Sequence, residues 1–155
     1  MGQTPEQNLE RLGIILPEAS QPIATYVNCV RAGNVLFMSG KGPLKPDGTY
    51  ITGKLGKDLS IEQGYEAARL AAICHIAVLK TELGILSRVK KIVKVLGMVN
   101  CTDDFLEQPK VINGYSDLMV SVFEEIGRHA RSAVGINVLP MNIAVEVEAI
   151  VQIEE

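Results

Sequence analysis

Ala144-Val145-Glu146-Val147-Glu148-Ala149-Ile150-Val151-Gln152-Ile153 places Val145, Val147, Ala149, Val151 and Ile153 at every second position. Successive side chains of a strand point to opposite faces, so this stretch reads as a strand with one wholly apolar face. Glu146 and Glu148 share the opposite face. Working outward, Leu139-Pro140-Met141-Asn142 joins it to a preceding strand over Ser132 to Leu139. Before that, Asp103 or Asp104 can cap a helix running to about Ile126, which Gly127 ends. Lys91 to Cys101 alternates and is rich in Val and Ile, a third strand, with Gly97 as a candidate bulge.

The N-terminal half follows the same grammar. Ser60 opens the longest helix, with Gln63 three residues on as its capping-box partner. Ala67, Leu70, Ala71, Cys74, Ala77 and Val78 recur at spacings of three and four, and Gly84 stops the run. Tyr26 to Arg31 and Val35 to Ser39 form a hairpin about Ala32-Gly33-Asn34, which Gly40-Lys41-Gly42-Pro43 breaks. Thr4, Pro5 and Gln7 spell a short helix start, Gly13 its end, and Pro17 to Pro22 a linker. Residues 1–22 therefore read as a helical extension of a single domain over 1–155. The order helix, β-β, α, β, α, β-β predicts an α+β protein: a mixed, mainly antiparallel sheet with two long helices packed on one face. Val, Ile and Leu occupy both parities in several strands, so the second face calls for self-association.

Composition excludes several classes. The net charge is −3, with no run of Lys or Arg, which argues against nucleic acid as a partner. No stretch is long and apolar enough for a membrane span, and Met1-Gly2-Gln3-Thr4-Pro5-Glu6 lacks the order of a signal peptide, so the expected location is cytoplasmic. Cys29, Cys74 and Cys101 are widely spaced and odd in number, which reads as small buried thiols and not a metal or redox site. Neither GxxxxGK[ST] nor GxGxxG occurs, so no nucleotide cofactor and no metal are expected.

His129-Ala130-Arg131-Ser132-Ala133-Val134, then Leu139-Pro140, then Val145-Glu146-Val147-Glu148-Ala149, resembles the C-terminal signature of the YjgF/RidA family. Gly33-Asn34 with Phe37-Met38-Ser39-Gly40 resembles the family's hairpin, and Tyr26-Val27 falls where it often has tyrosine and valine. The resemblance spans about residues 24 to 153. It implies a chorismate-mutase-like fold and a homotrimer with clefts between subunits. It also implies reactive-intermediate deaminase activity: hydrolysis of amino-acid-derived enamines and imines, such as 2-aminoacrylate, to 2-keto acids and ammonia. The family also carries endoribonuclease and translation-inhibitor labels. Departures mark a side branch: Ala133 stands for cysteine, Lys41 for the frequent glutamine, and His129 for proline.

On this reading Arg131 anchors a substrate carboxylate, because a guanidinium offers a planar fork of donors matched to it. Glu146 is the acid/base candidate that protonates the imine nitrogen and positions water, with Glu148 a lesser one. Ser39 and Gly40 line the cleft, and Ala133 sits in it. Tyr26 either closes over the substrate or packs. Asn113-Gly114-Tyr115 sits mid-helix, where glycine is unfavourable, and marks close packing or a cleft wall, with Tyr115 as a possible contact. Lys41 binds a second acidic group or stays in solvent. His129 shares a strand face with Arg131. The alternative function is a non-catalytic trimer that binds a small carboxylate metabolite.

Overall fold

The computed structural model describes residues 2–155. Five strands, β1 (Cys29–Ala32), β2 (Val35–Lys41), β3 (Val89–Asn100), β4 (Ala130–Ile136) and β5 (Val145–Ile153), form one sheet in the order β1-β2-β5-β3-β4. All neighbours are antiparallel except β3 and β4, which are parallel and joined through a helix. Helices α2 (Ile61–Leu83) and α3 (Gln108–Phe123) pack on one face, and the short α1 (Pro5–Arg11) lies against α3. This is the mixed, mainly antiparallel α+β architecture expected from the sequence.

Both capping boxes form. Thr4 Oγ1 accepts from Gln7 N at 3.2 Å, and Ser60 Oγ accepts from Gln63 N at 3.2 Å, each answered by the glutamine side chain on the cap's own N–H. Each box satisfies two otherwise orphaned donors. Gly84 ends α2 at φ 77°. Asn8 ties α1 down, donating to the Val122 carbonyl at 3.0 Å, and Glu6 accepts from Leu86 N at 2.7 Å.

Several boundaries differ from the sequence reading. Neither Asp103 nor Asp104 caps α3. Asp104 accepts from the Thr102 hydroxyl instead, and the helix starts at Gln108 behind Glu107, which makes no side-chain cap bond. Pro109 sets that start, because proline fits the first helical turn and cannot follow helical backbone. The helix ends at Phe123, where Glu124 turns to positive φ and a 3-10 turn covers Glu124–Gly127. β4 begins at Ala130 and ends at Ile136, so the tripeptide before Pro140 is loop. β1 begins only at Cys29, leaving Tyr26 in the preceding bend. Gly97 is not a bulge. It pairs in register on both sides, and a Cβ there would lie 2.6 Å from the Ile112 side chain, so it gives α3 room to lie on the sheet.

The helices meet at backbone distance. A Cβ on Gly114 would stand 1.9 Å from the Tyr65 carbonyl oxygen, so no other residue fits at that crossing. Close packing is the outcome for Gly114 and Tyr115, whereas Asn113 is exposed and accepts from Arg131. The core between sheet and helices takes Val145, Val147, Ala149, Val151 and Ile153 from β5, as their alternation requires. The opposite face carries Val30, Phe37 and Ile150 in one cross-strand row, with Leu96, Met98 and Val134 beyond, and Phe37 is 49% exposed. Cys74 and Cys101 are buried and Cys29 half-buried, all as free thiols. No helix among the described residues is long and apolar enough to cross a membrane.

Candidate functional site

β4 is an edge strand, and its alternation decides where the signature points. Arg131 pairs with Val95 and Ala133 with Gly97, both on the helix-covered face. Arg131 therefore projects past the sheet edge onto α3. Its Nη1 donates to Asn113 Oδ1 at 2.9 Å and Ser116 Oγ at 3.1 Å, and its Nη2 to the Pro109 carbonyl at 3.4 Å. Every acceptor is neutral. Among the described residues no carboxylate pairs with this guanidinium. A guanidinium has five N–H donors, so Nε and one Nη2 proton stay uncommitted.

His129 flanks the arginine from the same side. Its Nδ1 lies 2.7 Å from the Gly127 carbonyl and its Nε2 2.9 Å from Ser116 Oγ. A carbonyl only accepts, so Nδ1 carries the proton and Nε2 accepts from the Ser116 hydroxyl. Burial, with Arg131 and Lys91 nearby, pushes the imidazole below its ordinary pKa and keeps it neutral, against the opposing Gly127 bond. Ser116, Asp117, Val120, Arg128, His129 and Arg131 line an open hollow of about 280 Å³.

A second group of candidates gathers at the end of β2. Met38 pairs with Ala149 and Lys41 with Val147, so Ser39 and Gly40 together face a single β5 residue and form a bulge. A bulge frees backbone groups from the ladder. Here the Ser39 carbonyl is taken by His75 Nε2 at 2.9 Å, while His75 Nδ1 lies 2.7 Å from the Tyr115 hydroxyl. By the same reasoning Nε2 donates to Ser39 and Tyr115 donates to Nδ1. Burial drives the His75 pKa down to about 4 and the Tyr115 hydroxyl well above its usual value. Glu146 faces outward beside this bulge: a Cβ on Gly40 would lie 2.9 Å from its carboxylate, so glycine is what admits it there. Burial first and Glu148 second raise the Glu146 pKa.

The family model described as "YjgF/chorismate_mutase-like, putative endoribonuclease" matches residues 6–152. The chain belongs to the YjgF/RidA family. Protein TCP17 of Trypanosoma cruzi is 47% identical over 147 residues, covering 94% of this chain and 92% of that protein. The crystal structure of a "putative endoribonuclease" from Shewanella oneidensis is 36% identical, with TM-score 0.94 over 97% of this chain and all of that one. A protein of unknown function from Agrobacterium tumefaciens is 39% identical, with TM-score 0.90 over 98% of this chain and 93% of its own.

Within this YjgF/RidA chain the sequence candidates divide. Arg131 and Ala133 sit on the helix-side edge, whereas Ser39, Gly40 and Glu146 sit at the bulge. Tyr26 is about half exposed in the bend before β1. Tyr115 is fully buried with its hydroxyl engaged by His75, so it is a core residue and lines no cleft. Lys41 is not in solvent. Only 8% exposed, it donates to Asn28 Oδ1 at 2.6 Å and Ser20 Oγ at 3.1 Å, and burial lowers its pKa. These bonds pin the 17–28 segment to β2. Sequence reasoning named Asn113 only within a tripeptide marking close packing or a cleft wall and missed Ser116, although their i, i+3 spacing on α3 was a readable sign of a shared face. It also missed His75, for which a bulge carbonyl 36 residues away leaves no local signal. Among the described residues no three of His, Cys, Asp and Glu come together as a metal would require.

Proposed function

We propose that this protein is a RidA-like deaminase that hydrolyses amino-acid-derived imines and enamines to 2-keto acids and ammonia. The observation that carries the reading is Arg131: a guanidinium positioned by three neutral acceptors, unpaired with any carboxylate among the described residues, with Nε and Nη2 protons left for a ligand. An α-imino acid keeps its carboxylate one bond from the reacting carbon, so the anchor also orients the C=N bond. Hydrolysis adds water to the carbon and expels the nitrogen as ammonia. A carboxyl group with a raised pKa, as at Glu146, suits that proton traffic.

Arg131 and Glu146 project from opposite sides of the sheet, so both can serve one substrate only if two copies contribute. We therefore include the homotrimer in the proposal: the apolar row Val30, Phe37 and Ile150 meets its counterparts, and clefts form between subunits. The same separation favours a second reading, in which Arg131 alone holds a small carboxylate and no chemistry follows. RNA is a poor fit, because RNA affinity leans on cationic contacts to phosphate, and the open face carries Glu146 and Glu148 beside Lys94. Supplying imino acids in situ from an amino-acid oxidase and following keto-acid release distinguishes the two. The deaminase reading expects turnover, and the binding reading expects affinity without it.

A further inference from the structure

We propose that Ser116 and His129 form a proton relay for imine hydrolysis on the α3 side of the sheet. This inference rests on the deaminase reading and assigns it a base within the same protomer as the carboxylate anchor. Four observations meet here. The His129 tautomer is fixed by Gly127, so the Nε2 lone pair is aimed at Ser116 Oγ at 2.9 Å. The same Oγ accepts from Arg131 Nη1 at 3.1 Å, which places the hydroxyl beside the anchor. All three side chains line one open hollow. Glu146, the other acid/base candidate, projects from the opposite face.

The chemistry follows from distance. The imine carbon is bonded directly to the carboxylate carbon, so a substrate held on Arg131 brings its C=N bond near the Ser116 hydroxyl. Water attacks that carbon and passes a proton to Ser116 Oγ as the serine proton moves to His129 Nε2. The iminium and water thus become a carbinolamine, R–C(OH)(NH2)–COO−, and an imidazolium. The imidazolium then returns its proton to the amine nitrogen. The C–N bond breaks, the hydroxyl proton leaves with the nitrogen, and the products are the 2-keto acid, ammonium and neutral His129. No other reactant is consumed.

The groups facing His129 set its titration. Arg131 on β4 and Lys91 on β3 oppose protonation, Arg128 adjoins it in the chain, and Asp117 on α3 lines the same hollow. The Tyr115 ring stands edge-on with centroids 6.3 Å apart and is uncharged. Burial is the largest influence, so the base is free at neutral pH and an acid limb falls below 6.5.

The test is a pH profile of imino-acid hydrolysis for wild type, His129→Gln and Ser116→Ala, with binding of a non-reactive 2-keto acid measured beside it. Glutamine can still accept from Ser116 through Oε1 but cannot store a proton, so a merely structural role survives His129→Gln. General acid–base groups contribute about 10²–10⁴-fold. The relay predicts a kcat loss of at least about a hundredfold in His129→Gln, removal of the acid limb and keto-acid affinity within about threefold. A kcat near wild type with an unchanged acid limb overturns the relay while leaving the deaminase reading intact. Wild type that hydrolyses no imino acid overturns both. If Ser116→Ala disturbs Arg131 so that binding itself fails, His129→Gln alone decides.

Discussion

Arg131 and Glu146 point away from opposite faces of the same sheet. Arg131 pairs with Val95 and Glu146 with Met98 on the one uninterrupted stretch of β3, and residues an odd number apart on a strand face opposite ways. That separation constrains the proposal that Arg131 anchors a carboxylate and Glu146 moves protons. Either a second copy brings its Glu146 to the first copy's Arg131, or the acid/base group comes from the arginine's own side.

Assembly can be tested without touching either residue. Phe37 and Ile150 are directly paired and lie on the open face, half-exposed or partly so in the protomer. Phe37→Glu should leave the helix-side core unaltered while opposing association of that face. Sedimentation should show a trimer for wild type and a folded monomer for the variant. A wild-type monomer at micromolar concentration contradicts the proposed assembly.

Glu146→Gln separates shape from proton transfer. The amide keeps the volume packed against Gly40 but neither gives nor takes a proton. Carboxylate affinity should be unchanged. If Glu146 acts in the reaction, kcat should drop by about a hundredfold or more. If the Ser116–His129 relay acts alone, the drop should stay within a few-fold.

His75 makes stability depend on pH. Its folded pKa of about 4 lies below the ordinary value of 6.5, so between these limits the unfolded chain binds a proton that the native state refuses. The sign is fixed: the contribution of this group is fully present above pH 6.5 and is lost as pH falls toward 4. At 1.36 kcal/mol per pKa unit the loss approaches about 3 kcal/mol. His75→Gln can keep both hydrogen bonds without titrating, so urea denaturation at pH 7.5 and 5 should show a smaller decline for the variant. Equal declines would place the dependence elsewhere.

Gly114→Ala should be severely destabilising, by about 3 kcal/mol or more, because the added methyl meets a backbone carbonyl that cannot rotate away. Thermal unfolding reads this directly. A melting temperature within a few degrees of wild type would mean that α2 and α3 can separate at that crossing.

Much of this was legible in the residues. The alternation of β5, the two capping boxes and Gly84 are local signals, and each produced the element it announced. The C-terminal signature pointed to Arg131 and Glu146 and to the family. What stayed hidden depends on chain partners far apart. Asp103 and Asp104 look like better caps than Glu107 does, and Pro109 overrides them. Gly97 reads as a bulge until Ile112 is placed over it, whereas the real bulge at Ser39–Gly40 reads as a strand end. Lys41 looks solvated until Ser20 and Asn28 fold over it. That Arg131 and Glu146 face apart follows from the registers that set Arg131 beside Val95 and Glu146 beside Met98, which the order of elements alone does not specify.

The central claim is that Arg131 anchors the carboxylate of an imine that this protein hydrolyses. Its side chain lies outside the apolar core, so Arg131→Ala should cost about 1 kcal/mol of stability or less. The lost charge-assisted bonds to a ligand are worth more, roughly 1.5–3 kcal/mol, and misorientation adds to the loss. The deciding measurement is keto-acid release from imino acids generated in situ, run side by side with wild type and Arg131→Ala. The account predicts rapid release with wild type and release no faster than the enzyme-free control with the variant, at a nearly unchanged melting temperature. Equal rates for the two proteins, or no acceleration by wild type, would contradict it.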